Sequence, residues 1–282
     1  MLQDLAFGRL ENEYRPAPPQ PEDFVICVRD GAILVRNLKN DALALPAVKD
    51  IHDSWERWYE QGLQYAFRLH ERNYYLWLGR AGACPAGWEY IPARQLRYRA
   101  GNTFCYAAMT GWHLYKWYES SIFCGRCGEK TVHDEKERMM RCPNCGQLIF
   151  PRINPAVIVG VTDGDRIVLT KYAGRGYTNY ALIAGFTEIG ETMEQTVQRE
   201  VMEEVGLRVK NIRFYKSQPW GIDGNILMGF YCDLEGSDEI HMDENELSLA
   251  QWHYRDSLPI GDDSYSLTRE MIRIFSEGKE PK

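Results

Sequence analysis

The sequence predicts an α+β fold: a mixed β-sheet sandwiched between helices, preceded by a four-cysteine zinc ribbon and a smaller β-rich N-terminal domain. Three observations carry this. After residue 150, strand-like apolar runs lie on both sides of one amphipathic helical stretch, and a second helical segment closes the chain. Two C-x-x-C pairs, Cys124/Cys127 and Cys142/Cys145, have fourteen residues between them. Before residue 120, β-rich runs are broken by turn signals. With 282 residues there is room for more than one domain, at roughly 100–200 residues each. The expected boundaries are 1–120, 121–150 and 151–282.

Composition narrows the function classes. The net charge of −7 leaves no global basic field to attract nucleic acid, so any such contact has to be local. The first ten residues, M-L-Q-D-L-A-F-G-R-L, lack a cationic segment followed by an apolar run, and no eighteen-residue apolar stretch occurs. Secretion and membrane spanning are therefore not expected. Of the eight cysteines, Cys27, Cys84, Cys105 and Cys232 are scattered among apolar residues, where a free thiol acts as a small hydrophobe. A cytoplasmic location fits that usage.

Taken in order, residues 1–20 run into R-P-A-P-P-Q-P (15–21), an extended surface approach. F-V-I-C-V-R-D-G-A-I-L-V-R, from Phe24, reads as two strands joined by an Asp30-Gly31 hairpin. His52 to His70 reads as helical or irregular, Tyr74–Leu78 as a strand, Trp88–Ile91 as a weaker strand, and 104–121 as an amphipathic helix. His52, His70 and His113 stand alone and are expected to be structural or exposed. Past the ribbon, strands are expected at 151–161, 166–172, 181–184, 209–216, 226–234 and 249–254, with a polar loop at 173–180 and a closing helix at 266–275.

The cysteine pairs point to one tetrahedral zinc site, because each C-x-x-C knuckle offers two thiolates from one tight turn. A redox role needs a β-α-β context that is absent here. Four thiolates close the coordination sphere, so the zinc is expected to be structural. The ribbon's cations (Arg126, Lys130, Lys136, Arg138, Arg141) are offset by Glu129, Asp134, Glu135 and Glu137, which favours stabilisation over nucleic-acid contact.

The other chemical signal is Gly185–Leu207, G-F-T-E-I-G-E-T-M-E-Q-T-V-Q-R-E-V-M-E-E-V-G-L. Met193, Val197, Val201 and Val205 form an apolar stripe at helical spacing. Glu200 and Glu204 stand one turn apart beside it, with Glu203 near. Like charges at these spacings weaken a helix by a few tenths of a kcal/mol per pair. An acidic surface face is the ordinary meaning of a charge run. It does not explain why the cluster directly follows a glycine-bounded loop or why Arg199 is set into it. A hard divalent cation, which takes carboxylate oxygens and bridges them to phosphates, does.

Gly185, Glu191, Arg199, Glu200, Val201, Glu203, Glu204, Gly206 and Leu207 together resemble the signature of the Nudix hydrolases, with no position missing. Adding the N-terminal domain, the ribbon and S-Q-P-W (Ser217–Trp220), the chain resembles the NADH pyrophosphatase family over about residues 104–275. The resemblance implies a Nudix α/β/α sandwich that cleaves the diphosphate of NAD(H) to AMP and nicotinamide mononucleotide, and release of the NAD cap from RNA. It implies Mg²⁺ or Mn²⁺ on Glu200, Glu203 and Glu204, with Glu246 of D-E-N-E-L as a further ligand. Glu203 or Glu246 would accept the proton, and Arg199 would pair with Glu191 to lock the loop. Substrate contacts fall on Glu137, Phe150, Ala184, Phe186, Gln218, Trp220 and Thr268, with Phe186 stacking on a base. Glu188 and Glu194 are expected to be ordinary solvated side chains. A homodimer without membrane contact is implied. The family stretch S-Q-P-W-P-F-P-x-S is here S-Q-P-W-G-I-D-G-N, with Asn225 where serine is usual. That departure keeps ADP-ribose, or another nucleoside diphosphate derivative, open as the substrate. A catalytically inactive nucleotide- or RNA-binding module is the remaining alternative, and the complete set of glutamates speaks against it.

Overall fold

A computed structural model describes residues 1–6, 8–38, 42–52, 62–79, 84–96, 99–174, 179–260 and 265–282. The chain divides into two compact units: Leu2–Arg152 with Gly221–Gly224, and Met1 with Ile153–Trp220 and Asn225–Lys282.

In the first unit, β1 (Leu10–Glu11), β2 (Phe24–Arg29), β3 (Ala32–Asn37), β4 (Leu43–Ala44), helix α1 (Val48–His52), β5 (Leu63–Leu69), β6 (Arg72–Trp77), β7 (Glu89–Pro92), α2 (Ala93–Leu96) and α3 (Asn102–Ser120) follow one another. The strands form one sheet in the order β1-β5-β6-β2-β3-β4, with β7 also on β3. Both faces are covered, which explains the unbroken apolar run in β2. Ile26 and Val28 point into the core under α3, while Val25 and Cys27 point into a second cluster with Val48, Ile51 and Trp77. Asp30 and Gly31 both take positive φ (48° and 80°), as the two-residue hairpin requires.

The reading of His52–His70 as helical or irregular is corrected where it can be seen. Leu63–Leu69 is a strand paired antiparallel with β6, while 53–61 lie outside the described residues. The pair is closed by His70-Glu71, both at positive φ (48° and 63°). Neither residue type announces such a turn, so the hairpin left no punctuation in the sequence.

The ribbon adds β8 (Val132–His133), β9 (Met140–Arg141) and β10 (Leu148–Ile149) in the order β10-β9-β8. Its inner side is tied to α3 and β5. Tyr118 Oη lies 2.7 Å from His133 Nε2. The Arg138 guanidinium donates to the Asn12 carbonyl at 3.2 Å and to that of Ala66. Burial holds the His133 imidazole below its usual range, which favours the neutral ring in this pair.

The second unit contains β11 (Asn154–Asp163), β12 (Arg166–Tyr172), β13 (Ile183–Phe186), α4 (Met193–Val205), β14 (Arg208–Trp220), β15 (Asn225–Glu235), β16 (Leu247–Tyr254) and α5 (Leu267–Ser276). The sheet order is β14-β15-β11-β12-β16, with β13 paired on β11. Only β11–β15 is parallel, so the sheet is mixed. Alternation sorts β11 between two cores. Val157, Val159 and Val161 meet Val197, Val201 and Val205 of α4, while Ile158 joins Leu267, Met271, Ile272 and Phe275 of α5. The result is the expected α/β/α sandwich. The polar loop expected at 173–180 is described only in part, because 175–178 lie outside the described residues.

Candidate active site

Helix α4 is set by its ends. Thr192 and Gln195 form a capping box, and Gly206 closes the helix in the left-handed region (φ 69°), where its N–H donates to the Met202 carbonyl. Two adjacent stripes of this helix are buried. One is the apolar stripe of Val197, Val201 and Val205; the other is polar, made of Thr196, Glu200 and Glu204. Ladder geometry explains where the second one goes. Ala184 and Phe186 face α5, so Gly185 between them faces α4. A Cβ at Gly185 would lie 1.9–2.1 Å from the Glu200 carboxylate atoms. The glycine is there because a carboxylate occupies the space of its missing side chain. One residue earlier, the Ala184 amide donates to Glu204 Oε1 at 3.3 Å.

Arg199 organises the rest. Its Nε and Nη2 donate to the two Glu191 oxygens at 2.6 and 2.9 Å, and Nη2 also reaches the Phe186 carbonyl at 2.8 Å. Its Nη1 donates to Glu200 at 2.7 Å and to Glu203 at 2.9 Å. One guanidinium thus ties the loop after β13 to the helix. The Arg199 bonds, helped by the Glu188 amide and the Thr196 hydroxyl, hold the Glu191 carboxyl far below its usual range, at about 2. Glu200 moves the opposite way. Burial pushes its carboxyl up despite Arg199, and the charges of Glu203 and Glu246 add to the rise. Glu246 arrives on a loop hung from the end of α4, where the His241 and Asp243 amides donate to the Val205 and Glu204 carbonyls at 2.9 and 3.0 Å.

The four cysteines of the ribbon offer sulfurs within 4.8 Å of one another, the one such metal-sized group among the described residues. Cys124–Cys145 and Cys127–Cys142 sulfurs are 3.6 and 3.4 Å apart. A tetrahedral zinc with bonds of about 2.3 Å needs nearly that spacing. The knuckles repeat: the Gly128 and Gly146 amides donate back to Cys124 and Cys142 carbonyls at 2.8 and 3.1 Å, with both glycines at positive φ.

Comparison with known proteins places these features. Residues 152–272 match the NUDIX domain, and residues 119–150 match the NADH pyrophosphatase zinc ribbon domain. A protein of Haemophilus influenzae (strain PittEE) named NAD-capped RNA hydrolase NudC is 35% identical over 245 residues, covering 85% of this chain and 89% of the relative. The chain belongs to the NudC family of Nudix hydrolases. A NudC of Pectobacterium atrosepticum is 40% identical over 149 residues, 53% of this chain and 57% of the relative. Among solved structures, a NUDIX hydrolase from Nitrosomonas europaea covers 55% of this chain and 90% of its own, with a TM-score of 0.48 and 24% identity.

Within this NudC-family chain, the glutamates fit a hard divalent cation by donor chemistry. The set offers only carboxylate oxygens, and the most buried of them are costly to leave charged. Arg199, gripping Glu200 and Glu203, is the positive charge that opposes them. The four glutamates do not converge as closely as the four cysteines.

The other expected contact residues divide. Ala184, Phe186, Gln218, Trp220 and Thr268 belong to the Nudix unit, and Glu137 and Phe150 to the ribbon. The rings of Phe186 and Phe150 are each 54% exposed. Gln218 is fully buried, its amide donating to the Tyr265 carbonyl and accepting from the Leu267 amide, both at 2.7 Å. It therefore pins the start of α5. Thr196, the hydroxyl that braces Glu191, was not singled out in the sequence. Its spacing, four before Glu200 and eight before Glu204, was the signal that could have found it.

Proposed function

We propose that this chain hydrolyses the diphosphate bond of NAD(H) to AMP and nicotinamide mononucleotide, and removes the NAD cap from RNA. Its relatives bear the name NAD-capped RNA hydrolase. One structural observation supports the chemistry most directly: the Glu200 carboxylate fills the space that a side chain at Gly185 would need, on the buried side of a capped helix.

In this reading Glu200 and Glu204, with Glu203 and Glu246, hold Mg²⁺ or Mn²⁺. When bound, the metal neutralises diphosphate charge and lowers the pKa of a water. Arg199 and Glu191 keep the loop and helix in register so that the carboxylates stay in place. A water oxygen forms a bond to one phosphorus, the bridging P–O bond breaks, and each half leaves with a terminal monophosphate: nicotinamide mononucleotide on one side, AMP or the 5′-monophosphate end of the RNA on the other. The water's proton passes to a carboxylate. Glu246 suits that task better than Glu203, because Arg199 already donates to Glu203 and no ion pair holds the Glu246 carboxylate among the described residues. Phe186 stacks on a base, Ala184, Trp220 and Thr268 line the nucleotide's path, and Phe150 and Glu137 keep the contact roles of the family pattern. Zinc on the four cysteines is structural. The protein works as a cytoplasmic homodimer, in keeping with its family and its free thiols.

The test is turnover of NADH, NAD⁺ and ADP-ribose with Mg²⁺ and with Mn²⁺, alongside cap release from NAD-capped RNA. NAD(H) and the cap should be cleaved. A tenfold preference for ADP-ribose overturns the substrate assignment.

A further inference from the structure

The loop that carries the chain from β13 into α4 has little packing to hold it. No residue from Phe186 to Gly190 is buried, and the Ile189 side chain stands fully in solvent. What fixes the loop is one carboxylate, that of Glu191. Its Oε1 accepts from Arg199 Nε at 2.6 Å. Its Oε2 accepts from three places: the Glu188 amide at 3.0 Å, Arg199 Nη2 at 2.9 Å and the Thr196 hydroxyl at 3.0 Å. Glu188 belongs to the loop being held, and Arg199 donates from the end of a long, flexible side chain. Thr196 is the rigid donor, because a β-branched side chain on a helix has few rotamers.

Thr196 is 0% exposed. A buried hydroxyl costs free energy unless it is bonded, and valine would fill the same space without that cost. Two acceptors compete for its one proton: the Glu191 carboxylate and the Thr192 carbonyl, the latter at 3.1 Å. The carbonyl is the ordinary partner of a threonine inside a helix, and it already accepts from the Thr196 amide at 3.0 Å. The carboxylate carries a full charge and makes the stronger bond. The proton therefore goes to Glu191.

From Glu191 the constraint passes on through Arg199. With Nε and Nη2 held by Glu191, the planar guanidinium has its orientation fixed, and Nη1 falls 2.7 Å from Glu200 and 2.9 Å from Glu203. We propose that Thr196 is a positioning residue for the reaction. Its hydroxyl fixes Glu191, Glu191 fixes the plane of Arg199, and Arg199 sets where the Glu200 and Glu203 carboxylates stand. The inference rests on the metal-dependent hydrolysis read above. Partners that orient metal ligands through another group are commonly worth about 10–100-fold in metal affinity or activity.

Thr196→Val and Thr196→Ser separate this role from a packing role, because they remove different halves of the side chain. Valine keeps the shape and the helix propensity and loses the hydroxyl. Serine keeps the hydroxyl and loses a buried methyl, which leaves a small cavity. In the full chain, kcat and KM for NAD⁺ are measured with Mn²⁺, Mn²⁺ affinity is measured without substrate by electron paramagnetic resonance, and thermal unfolding is followed. Thr196→Val should unfold no earlier than Thr196→Ser, yet lose about tenfold in kcat and in Mn²⁺ affinity, with KM for NAD⁺ little changed. Thr196→Ser should keep kcat and Mn²⁺ affinity within about threefold of wild type. Activity that follows the unfolding temperature, with valine near wild type and serine impaired, shows a packing role and overturns the proposal. So does a serine variant as impaired as the valine variant, or a valine variant that loses less than about threefold in both kcat and Mn²⁺ affinity. If wild type does not cleave NAD⁺, the functional reading falls, and the Mn²⁺ affinities of the two variants still decide whether Thr196 positions the glutamates.

Discussion

Substituting Gly185 by alanine tests whether the Glu200 carboxylate is where the chemistry needs it. The added Cβ would lie 1.9–2.1 Å from the carboxylate atoms, against the 3.4 Å or more of ordinary contact, so something must move by more than 1 Å. β13 is paired residue for residue with β11 through Gly185, and its backbone is the stiffer partner. The free end of the glutamate is the part that gives. Moving it stretches the 2.7 Å bond to Arg199 and shifts a proposed metal ligand. Losing one charge-assisted hydrogen bond costs about 1.5–3 kcal/mol at most, and 1 kcal/mol lowers Tm by roughly 4 °C in a unit between the 100- and 150-residue size classes. A displacement of about 1 Å in a catalytic group can cost on the order of 100-fold in rate. The expected outcome is therefore a folded protein with Tm down by several degrees, kcat down roughly 100-fold and weaker Mn²⁺ binding by electron paramagnetic resonance. If kcat stays within threefold of wild type while Mn²⁺ binds normally, the reasoning that joins Gly185 to Glu200 and the metal is wrong.

Three further outcomes follow from the same geometry. Glu204→Gln keeps the shape and removes a charge, so turnover should fall by orders of magnitude with folding intact; full activity would show that Glu204 holds no metal. Cys142→Ser, or a chelator that strips tightly held zinc, should lower the unfolding temperature, since four thiolates in one cluster replace a core the ribbon is too small to build. An unchanged melting curve would count against structural zinc. The third concerns pH. The Glu191 carboxyl is held at about 2 in the folded chain against an ordinary value of 4.5, so its bonds to Arg199 stabilise the fold fully above that ordinary value. That contribution fades as pH falls from 4.5 towards 2. Urea unfolding should show Glu191→Gln less stable than wild type near neutral pH, with the gap closing on acidification; a constant gap would show that the pair carries no linked stability.

Much of the fold was legible because its signals are local. Asp30-Gly31 announces a hairpin by residue type, and the spacing of Met193, Val197, Val201 and Val205 announces a helix and the face it buries. The strand at Leu63–Leu69 was not legible, because its turn is made by His70 and Glu71, which enter the left-handed region without a glycine or asparagine to mark it. The ribbon followed from four residues, since two knuckles on tight turns leave thiolates few other ways to meet. At the acidic helix the spacing identified the cluster but not its internal order. That Arg199 would hold three glutamates and a carbonyl at once depends on the path of the loop from Phe186 to Glu191. That path is fixed by β13 and by the Thr192 cap, not by spacing along the helix.

The same distinction separates Gln218 from Asn225. A position in a motif says which residue type recurs, and it cannot say whether a side chain is already committed to the backbone. Gln218 has the donor and acceptor expected of a substrate contact, yet both are engaged at the start of α5, so its effect on substrate would pass through the placement of Ser266, Leu267 and Thr268. Asn225 stands at the end of the same stretch and keeps its acceptor unengaged at the cost of burying it. The second buried stripe of α4 follows the same logic. Thr196, Glu200 and Glu204 occupy positions where valines would pack, so that helix accepts a polar flank that its own stability does not require. On that helix the side chains that fit least well with packing are the carboxylates proposed to hold the metal.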